Sequence, residues 1–124
     1  MTLQITVREA QLNPTGMLVA SPYVSLRVGS SAQKTPPSSG TNPRWQTSLA
    51  FKARDSTMKV EVWSTSATSD ELIGEGHLNL TKYYSAPGSS QSEYVDLLRN
   101  GTIVGRVMMA VVYDGPPVNP GATV

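Results

Sequence analysis

The sequence predicts an all-β protein, an eight-stranded antiparallel β-sandwich. Apolar residues recur with a period of two rather than 3.6, as in Leu3, Ile5 and Val7, which alternate with polar residues. The alternating segments are short, and turn-forming Gly, Pro, Ser and Asn separate them at regular spacing. With 124 residues, 39% of them hydrophobic, the chain can bury one modest core. We expect one domain over residues 1–113 and a Pro/Gly-rich, extended tail over residues 114–124.

Each predicted strand has its own alternation or boundary signal. Pro36-Pro37 closes the third strand, and Pro43, which cannot donate to a sheet ladder, marks the start of the fourth. Gly74 and Gly76 interrupt the sixth strand and indicate a bulge or a close backbone approach. Asn100-Gly101 predicts a type I′ turn that pairs the last two strands. The predicted strands cover residues 3–8, 24–28, 32–35, 45–51, 58–63, 72–80, 94–98 and 102–113.

Two further segments are distinctive. Residues 108–112 of the last strand are apolar on both faces, so we expect this strand to be central in its sheet and covered on both sides. On this interpretation Met108 and Met109 belong to the core and not to a binding surface. Residues 81–85 are the one segment that we expect to be briefly helical.

Composition excludes several classes of protein. The net charge is +1, with 10 basic and 9 acidic residues, whereas a nucleic-acid-binding domain is normally strongly basic. The absence of cysteine excludes disulfides and cysteine–zinc sites. No apolar stretch approaches the roughly 20 residues of a membrane-spanning helix, and the N-terminal alternation is unlike a signal peptide. We therefore expect a cytoplasmic protein, with peripheral attachment to membranes as an option.

The sequence gives no support for catalysis. It has no Gly-x-Ser-x-Gly elbow, no phosphate-binding loop and no thiol nucleophile, and His77 is its one histidine. We expect neither enzymatic activity nor a small-molecule substrate.

Three tetrapeptides and their flanking strands resemble the landmarks of a known family. Ser21-Pro22-Tyr23-Val24, Asn42-Pro43-Arg44-Trp45 and Glu71-Leu72-Ile73-Gly74 are similar to the Asp-Pro-Tyr-Val, Asn-Pro-x-Trp and Asp-x-Ile-Gly stretches of C2 domains. Those domains are β-sandwiches best known for binding calcium and phospholipid. The resemblance runs from Leu3 to about Tyr113, and it implies the same fold and a role in docking.

The resemblance also implies where calcium ligands would lie. C2 domains supply acidic ligands from two loops, here residues 13–21 and 64–71, and only Asp70 or Glu71 keeps a charge at those positions. Calcium takes six to eight oxygen ligands, several of them carboxylates. We therefore expect no cofactor and no calcium requirement, with weak residual calcium-dependent lipid binding as the alternative. The degenerate positions are Thr15, Ser21, Ser64, Ser66, Asp70 and Glu71.

Three features are candidates for contact with a membrane or a protein. The loop residues Met17, Leu18 and Val19 form either an exposed apolar tip or a plug that closes the core. Trp63 falls on the polar face of its strand and is either an interface anchor or packed across the sheet. Basic residues could share one outer sheet face and attract anionic lipid, although Glu61 also falls there and an ordinary solvated surface gives the same pattern. These basic residues are Arg27, Lys34, Arg44, Lys52 and Lys59.

Two functions remain open at this point. The first is a peripheral module that docks on anionic phospholipid membranes through the apolar tip and basic side chains. The second is a small structural or adaptor protein that binds a protein partner within a larger assembly. Neither the oligomeric state nor the connectivity of the strands follows from the sequence.

Overall fold

A computed structural model describes residues 2–13, 19–52, 55–65 and 69–116. Within these residues the chain forms eight strands and one short helix, so both the all-β prediction and the helical segment are confirmed. The elements are β1 (Thr2–Leu12), β2 (Ser21–Val28), β3 (Ser31–Lys34), β4 (Arg44–Phe51), β5 (Thr57–Thr65), β6 (Glu71–Asn79), α1 (Thr81–Ser85), β7 (Gln91–Arg99) and β8 (Thr102–Asp114).

The strands follow the hydrogen-bonded order β3-β2-β5-β6-β7-β8-β1-β4, and every pairing is antiparallel. A single bridging pair, Glu75 with Leu98, joins β6 to β7. The sheet therefore folds there into two layers, β3-β2-β5-β6 and β7-β8-β1-β4. At the other side the side chain of Gln33 in β3 donates a hydrogen bond to the carbonyl of Ala50 in β4. These contacts set the connectivity, which the sequence left open.

The core lies between the two layers and comes from the alternation seen in the sequence. Leu3, Ile5 and Val7 of β1 are at most 1% exposed, while the residues between them face outward. Removing each such side chain from water contributes about 1.5–3 kcal/mol. α1 closes one end of the sandwich with two buried side chains, Tyr83 and Tyr84. The rings of Tyr84 and Tyr113 pack edge to face, with 5.1 Å between their centroids.

Gly74 and Gly76 allow β7 to cross close above β6, as their position in the sequence predicted. A Cβ atom at Gly74 would lie 2.8 Å from Cγ2 of Val104. A Cβ atom at Gly76 would overlap the carbonyl oxygen of Asp96 and lie 2.8 Å from Cγ1 of Val95. Any side chain at Gly76 therefore forces the two strands apart.

The connection between β7 and β8 is the two-residue turn expected from Asn100-Gly101. The φ angles of Asn100 and Gly101 are 53° and 78°, the positive pair that a type I′ turn requires. Close to this turn the register shifts between Leu97 and Leu98, and Val104 becomes the extra, buried residue of a bulge.

The last strand differs from its prediction on one face. β8 is central, between β7 and β1, and Met109 is fully buried. The prediction that it is covered on both sides is wrong, because Met108, Ala110 and Val112 point outward and are half-exposed. No third layer of the described chain lies over that face. β8 ends at Asp114, and residues 117–124 of the predicted tail lie outside the described residues, so the tail remains a prediction.

The described part of the chain contains no helix that is long and apolar enough to span a membrane.

Candidate functional site

The degenerate ligand positions belong to two loops whose flanking strands end and begin at one end of the sandwich. β1 ends and β2 begins at this end, and β5 ends and β6 begins there too. We call it the loop end, and its described residues are 13, 19–21, 35–43, 64–65, 69–71 and 99–102. Of the candidates, Thr15, Met17, Leu18 and Ser66 lie outside the described residues. Val19 is half-buried and packs against the core.

The serines at the loop end connect the two loops to each other. Ser64 is 4% exposed, and its Oγ accepts a hydrogen bond of 3.2 Å from the backbone N–H of Ala20. Beside it, the Oγ1–H of Thr65 donates to the carbonyl oxygen of Ser21 at 3.2 Å. A hydroxyl is suited to this position because it can satisfy a buried backbone N–H without a buried charge.

Both carboxylates of the second loop have partners from neighbouring strands. The phenol O–H of Tyr23 donates to Oδ2 of Asp70 at 2.6 Å, a length typical of a hydrogen bond to a charged oxygen. Oε1 of Glu71 lies 3.6 Å from a guanidinium nitrogen of Arg99. Among the residues that the structure describes, no three His, Asp or Glu side chains come together as a metal-binding group.

The bond between Tyr23 and Asp70 gives a testable pH dependence. Hydrogen bonding to Asp70 raises the pKa of Tyr23 from 10.0 to about 12, and burial and the charge of Asp70 act in the same direction. The folded state therefore holds the phenol proton more tightly than the unfolded chain. The resulting stabilisation is complete below pH 10.0 and is lost as the pH rises through about 12.

In an ultraviolet titration of the tyrosines, the component that disappears in Tyr23→Phe belongs to Tyr23, and we expect its pKa to be about 12. In Asp70→Ala this pKa should move toward 10.0. A Tyr23 component that already titrates near 10.0 in the wild-type protein would mean that this hydrogen bond does not form in solution.

An aromatic cluster lies beside the loop end on the outer face of the β3-β2-β5-β6 layer. Tyr23 and Trp63 are direct cross-strand neighbours, and Leu72 is opposite Trp63 on the other side. All three are half-buried, so their rings and methyl groups form a continuous apolar surface. We call this surface, with the charged residues that adjoin it, the aromatic face: Tyr23, Ser25, Arg27, Lys34, Lys59, Glu61, Trp63, Leu72, Glu75 and His77.

The aromatic face carries charges of both signs. Nζ of Lys34 lies 5.4 Å from the centre of the Tyr23 ring, within cation–π distance. Nζ of Lys59 lies 3.3 Å from Oε2 of Glu75 and 3.8 Å from Oε2 of Glu61. Arg27 is exposed and, within the described residues, forms no ion pair. Three cations thus face two carboxylates, with Asp70 at the rim, and the face is close to neutral.

The structure brings together some of the predicted contact residues and separates others. Arg27, Lys34, Lys59 and Trp63 share the aromatic face. Arg44 and Lys52 do not, because β4 belongs to the other layer. Nε of Arg44 lies 3.4 Å from Glu9 on that layer's outer surface, and Lys52 follows β4 at the end opposite the loops. The proposal of one shared basic face is therefore wrong for these two residues.

The sequence did not reveal that Tyr23 and Leu72 lie on either side of Trp63, or that Tyr23 donates a hydrogen bond to Asp70. Tyr23 was noted only within a tetrapeptide, although it alternates with the core residue Val24 and so had to face outward. That it lies beside Trp63 depends on the register of β2 with β5, for which the sequence carries no signal.

Comparisons with known proteins agree with this architecture. A family model described as the C2 domain matches residues 1–97. Comparison with curated protein sequences gives no significant match. A C2 domain of plant Extended Synaptotagmin 1 is similar in structure, with a TM-score of 0.79 and 19% identity over 95% of each chain.

A second similar structure is a C2 domain-containing protein from a putative elicitor-responsive gene. Its TM-score is 0.78 at 20% identity, and the match covers 99% of this chain and 93% of that one. A third, a pair of C2 domains from Extended-Synaptotagmin 2, has a TM-score of 0.75 at 17% identity, over 90% of this chain and 40% of that one. At such identities the structural likeness shows the fold alone.

Proposed function

This chain belongs to the C2 domain family, a family of calcium-, lipid- or protein-binding modules, and on that premise we propose that it is a calcium-independent, non-enzymatic module that docks on a protein partner. The observation that carries the proposal is the aromatic face, where Tyr23 and Trp63 lie side by side within a rim of mixed charge. Tyrosine, tryptophan and arginine are the residues that most often dominate the energy of protein interfaces.

Calcium independence is supported by how the loop end uses its oxygen atoms. Ser64 Oγ and the carbonyl of Ser21 hold the two loops together, and Asp70 accepts a hydrogen bond from Tyr23. A calcium ion would need six to eight oxygen ligands, and three oxygen atoms of the described loop end already accept these hydrogen bonds. Neutral hydroxyls compensate poorly for the water that the ion loses.

The free energy that the basic residues could contribute at an anionic membrane is small, and this favours a protein as the partner. A basic residue close to an anionic membrane contributes about 1 kcal/mol, so Arg27 and Lys34 together give about 2 kcal/mol. Micromolar binding needs about 8 kcal/mol. Lys59 adds little because Glu61 and Glu75 surround it. The mixed charges of the aromatic face repel an anionic surface in part, whereas a protein can match both signs.

Docking on anionic phospholipid remains the second candidate. It is favoured by the two cations that have no carboxylate partner in the described residues, Arg27 and Lys34, and by the apolar sequence of residues 17–19, of which only Val19 is described. In either case a cytoplasmic setting is part of the proposal.

Photo-crosslinking from the aromatic face separates the two candidates. We propose placing a photoreactive amino acid at Ser25, in the row between the aromatic cluster and Arg27, and, as a control, at Ser48 on the outer surface of the other layer. Irradiation in an extract of the source cells should give a discrete protein adduct from position 25, equally in calcium and in chelator, and none from position 48.

The second experiment is co-sedimentation of the protein with vesicles of phosphatidylcholine and phosphatidylserine. Weak or absent co-sedimentation in calcium and in chelator is the expected result. If the vesicles retain the protein while position 25 yields no adduct, the membrane candidate replaces the proposal.

A further inference from the structure

The outer face of the β7–β8 hairpin carries exposed hydrophobic side chains. Tyr94, Leu98 and Ile103 are 61%, 45% and 61% exposed, and they are the only large hydrophobic side chains among the described residues with such exposure. All three lie on this hairpin and point away from the core. Met108, half-exposed, lies opposite Tyr94. This surface belongs to the layer that does not contain the aromatic face.

The surface has three rows of cross-strand neighbours. Leu98 is opposite Ile103, Asp96 is opposite Arg106, and Tyr94 is opposite Met108. A charged row therefore lies between two apolar rows, with one member of each row on β7 and the other on β8. We call these six residues the hairpin face.

The charges of the middle row have little compensation within the molecule. Arg106 lies 5.1 Å from the Tyr94 ring centre, and its Nε donates a long hydrogen bond of 3.4 Å to Oε1 of Gln11. Asp96 is exposed and, in the part of the chain that the structure describes, it forms no ion pair, although Arg106 is its direct neighbour. Both charges therefore point outward, toward whatever approaches the hairpin face.

We propose that the hairpin face binds a second copy of this chain in a two-fold symmetric dimer. Under the two-fold symmetry that most homodimers use, the charges of the hairpin face are complementary to those of a second copy. The two-fold axis would run parallel to the strands, midway between β7 and β8 and in the plane of contact. A rotation about this axis places β7 of one copy over β8 of the other. Asp96 then faces Arg106 of the second copy, and Arg106 faces its Asp96, so that two ion pairs form at once.

The same rotation matches the apolar rows. Leu98 meets Ile103 of the second copy, and Tyr94 meets Met108, a favourable contact between an aromatic ring and a thioether. An axis perpendicular to the strands would instead place Asp96 on Asp96 and Arg106 on Arg106. The distribution of charges thus selects one of the two face-to-face arrangements. Sheets that pack in this way lie about 10 Å apart.

The dimer goes beyond the proposed docking function and does not depend on it. Its apolar area is small and is divided by the charged row, which places the dimer among weak interfaces, so we expect a dissociation constant between about 1 μM and about 1 mM. In this arrangement the two aromatic faces point away from each other, and the dimer presents two docking surfaces.

Sedimentation equilibrium of the full chain between about 10 μM and about 1 mM tests the proposal. The wild-type chain should dimerise in this range. Asp96→Arg and Arg106→Asp should each weaken self-association at least tenfold, because like charges then face each other twice. A mixture of the two variants should restore dimers, since opposite charges face each other again across the mixed interface. Arg27→Asp on the opposite layer is the matched control and should dimerise like wild type.

An apolar variant covers the case in which a charge reversal disturbs folding. Leu98→Ser with Ile103→Ser changes only exposed side chains, and it should also weaken self-association at least tenfold while the far-ultraviolet circular dichroism stays unchanged. A wild-type chain that remains monomeric at about 1 mM would overturn the proposal. So would a dimer that the hairpin variants leave intact, or charge variants whose mixture stays monomeric.

Discussion

Gly76→Ala is expected to lower the free energy of unfolding by about 3 kcal/mol, the upper part of the range for overpacking a protein interior. The added Cβ would overlap the carbonyl oxygen of Asp96 and lie 2.8 Å from Cγ1 of Val95. A side chain can rotate away, but a backbone carbonyl moves only with its strand. β6 and β7 share a single bridging pair at this point, so few ladder hydrogen bonds oppose their separation.

The measurement is urea unfolding followed by circular dichroism. His77→Ala, one residue further along β6 and exposed on the outer face, is the control and should change stability by less than about 0.5 kcal/mol. If Gly76→Ala unfolds at the same urea concentration as wild type, then β7 does not approach β6 closely enough to exclude a methyl group.

Trp63→Ser is expected to weaken binding to the protein partner at least 30-fold. Truncating an aromatic residue at the centre of an interface typically costs about 2 kcal/mol or more, and about 1.4 kcal/mol corresponds to a factor of ten. The readout is competition: unlabelled domain is added until the adduct formed from position 25 falls by half. The Trp63→Ser competitor should require at least about 30 times the wild-type concentration, in calcium and in chelator alike.

Arg44→Ala is the matched control for Trp63→Ser. Both residues were candidates on sequence grounds, but Arg44 lies on the other layer beside Glu9 and should compete like wild type. Equal competition by Trp63→Ser and wild type would remove Trp63 from the docking surface and would contradict the proposed role of the aromatic face.

Period-two alternation and turn chemistry were sufficient to predict the strands. Burial of alternate side chains is a local property, so β1 could be read from Leu3, Ile5 and Val7, and Asn100-Gly101 fixed the hairpin because few residue pairs accept two positive φ angles. Gly74 and Gly76 indicated a close approach for a similar reason, although nothing in the sequence identified β7 as the strand that crosses there.

The composition of the candidate site could be predicted only in part. Alternation tells which residues of one strand point the same way, but it does not tell which strands are neighbours or in what register. Arg44 and Arg27 therefore looked equivalent, although they lie on opposite layers. Met108 was predicted to be buried because its neighbours are apolar, yet an apolar outer face can also be a surface for association, and that is the role proposed for Met108 in the dimer.

Isothermal titration calorimetry of the chain with calcium measures directly whether the loop end binds the ion. Because Ser21, Ser64, Asp70 and Tyr23 hold the loop end together through their own hydrogen bonds, we predict no binding heat at millimolar calcium and no shift in melting temperature between calcium and chelator. Saturable micromolar binding that Asp70→Ala abolishes would contradict calcium independence, since it would show that the loop end still coordinates a cation.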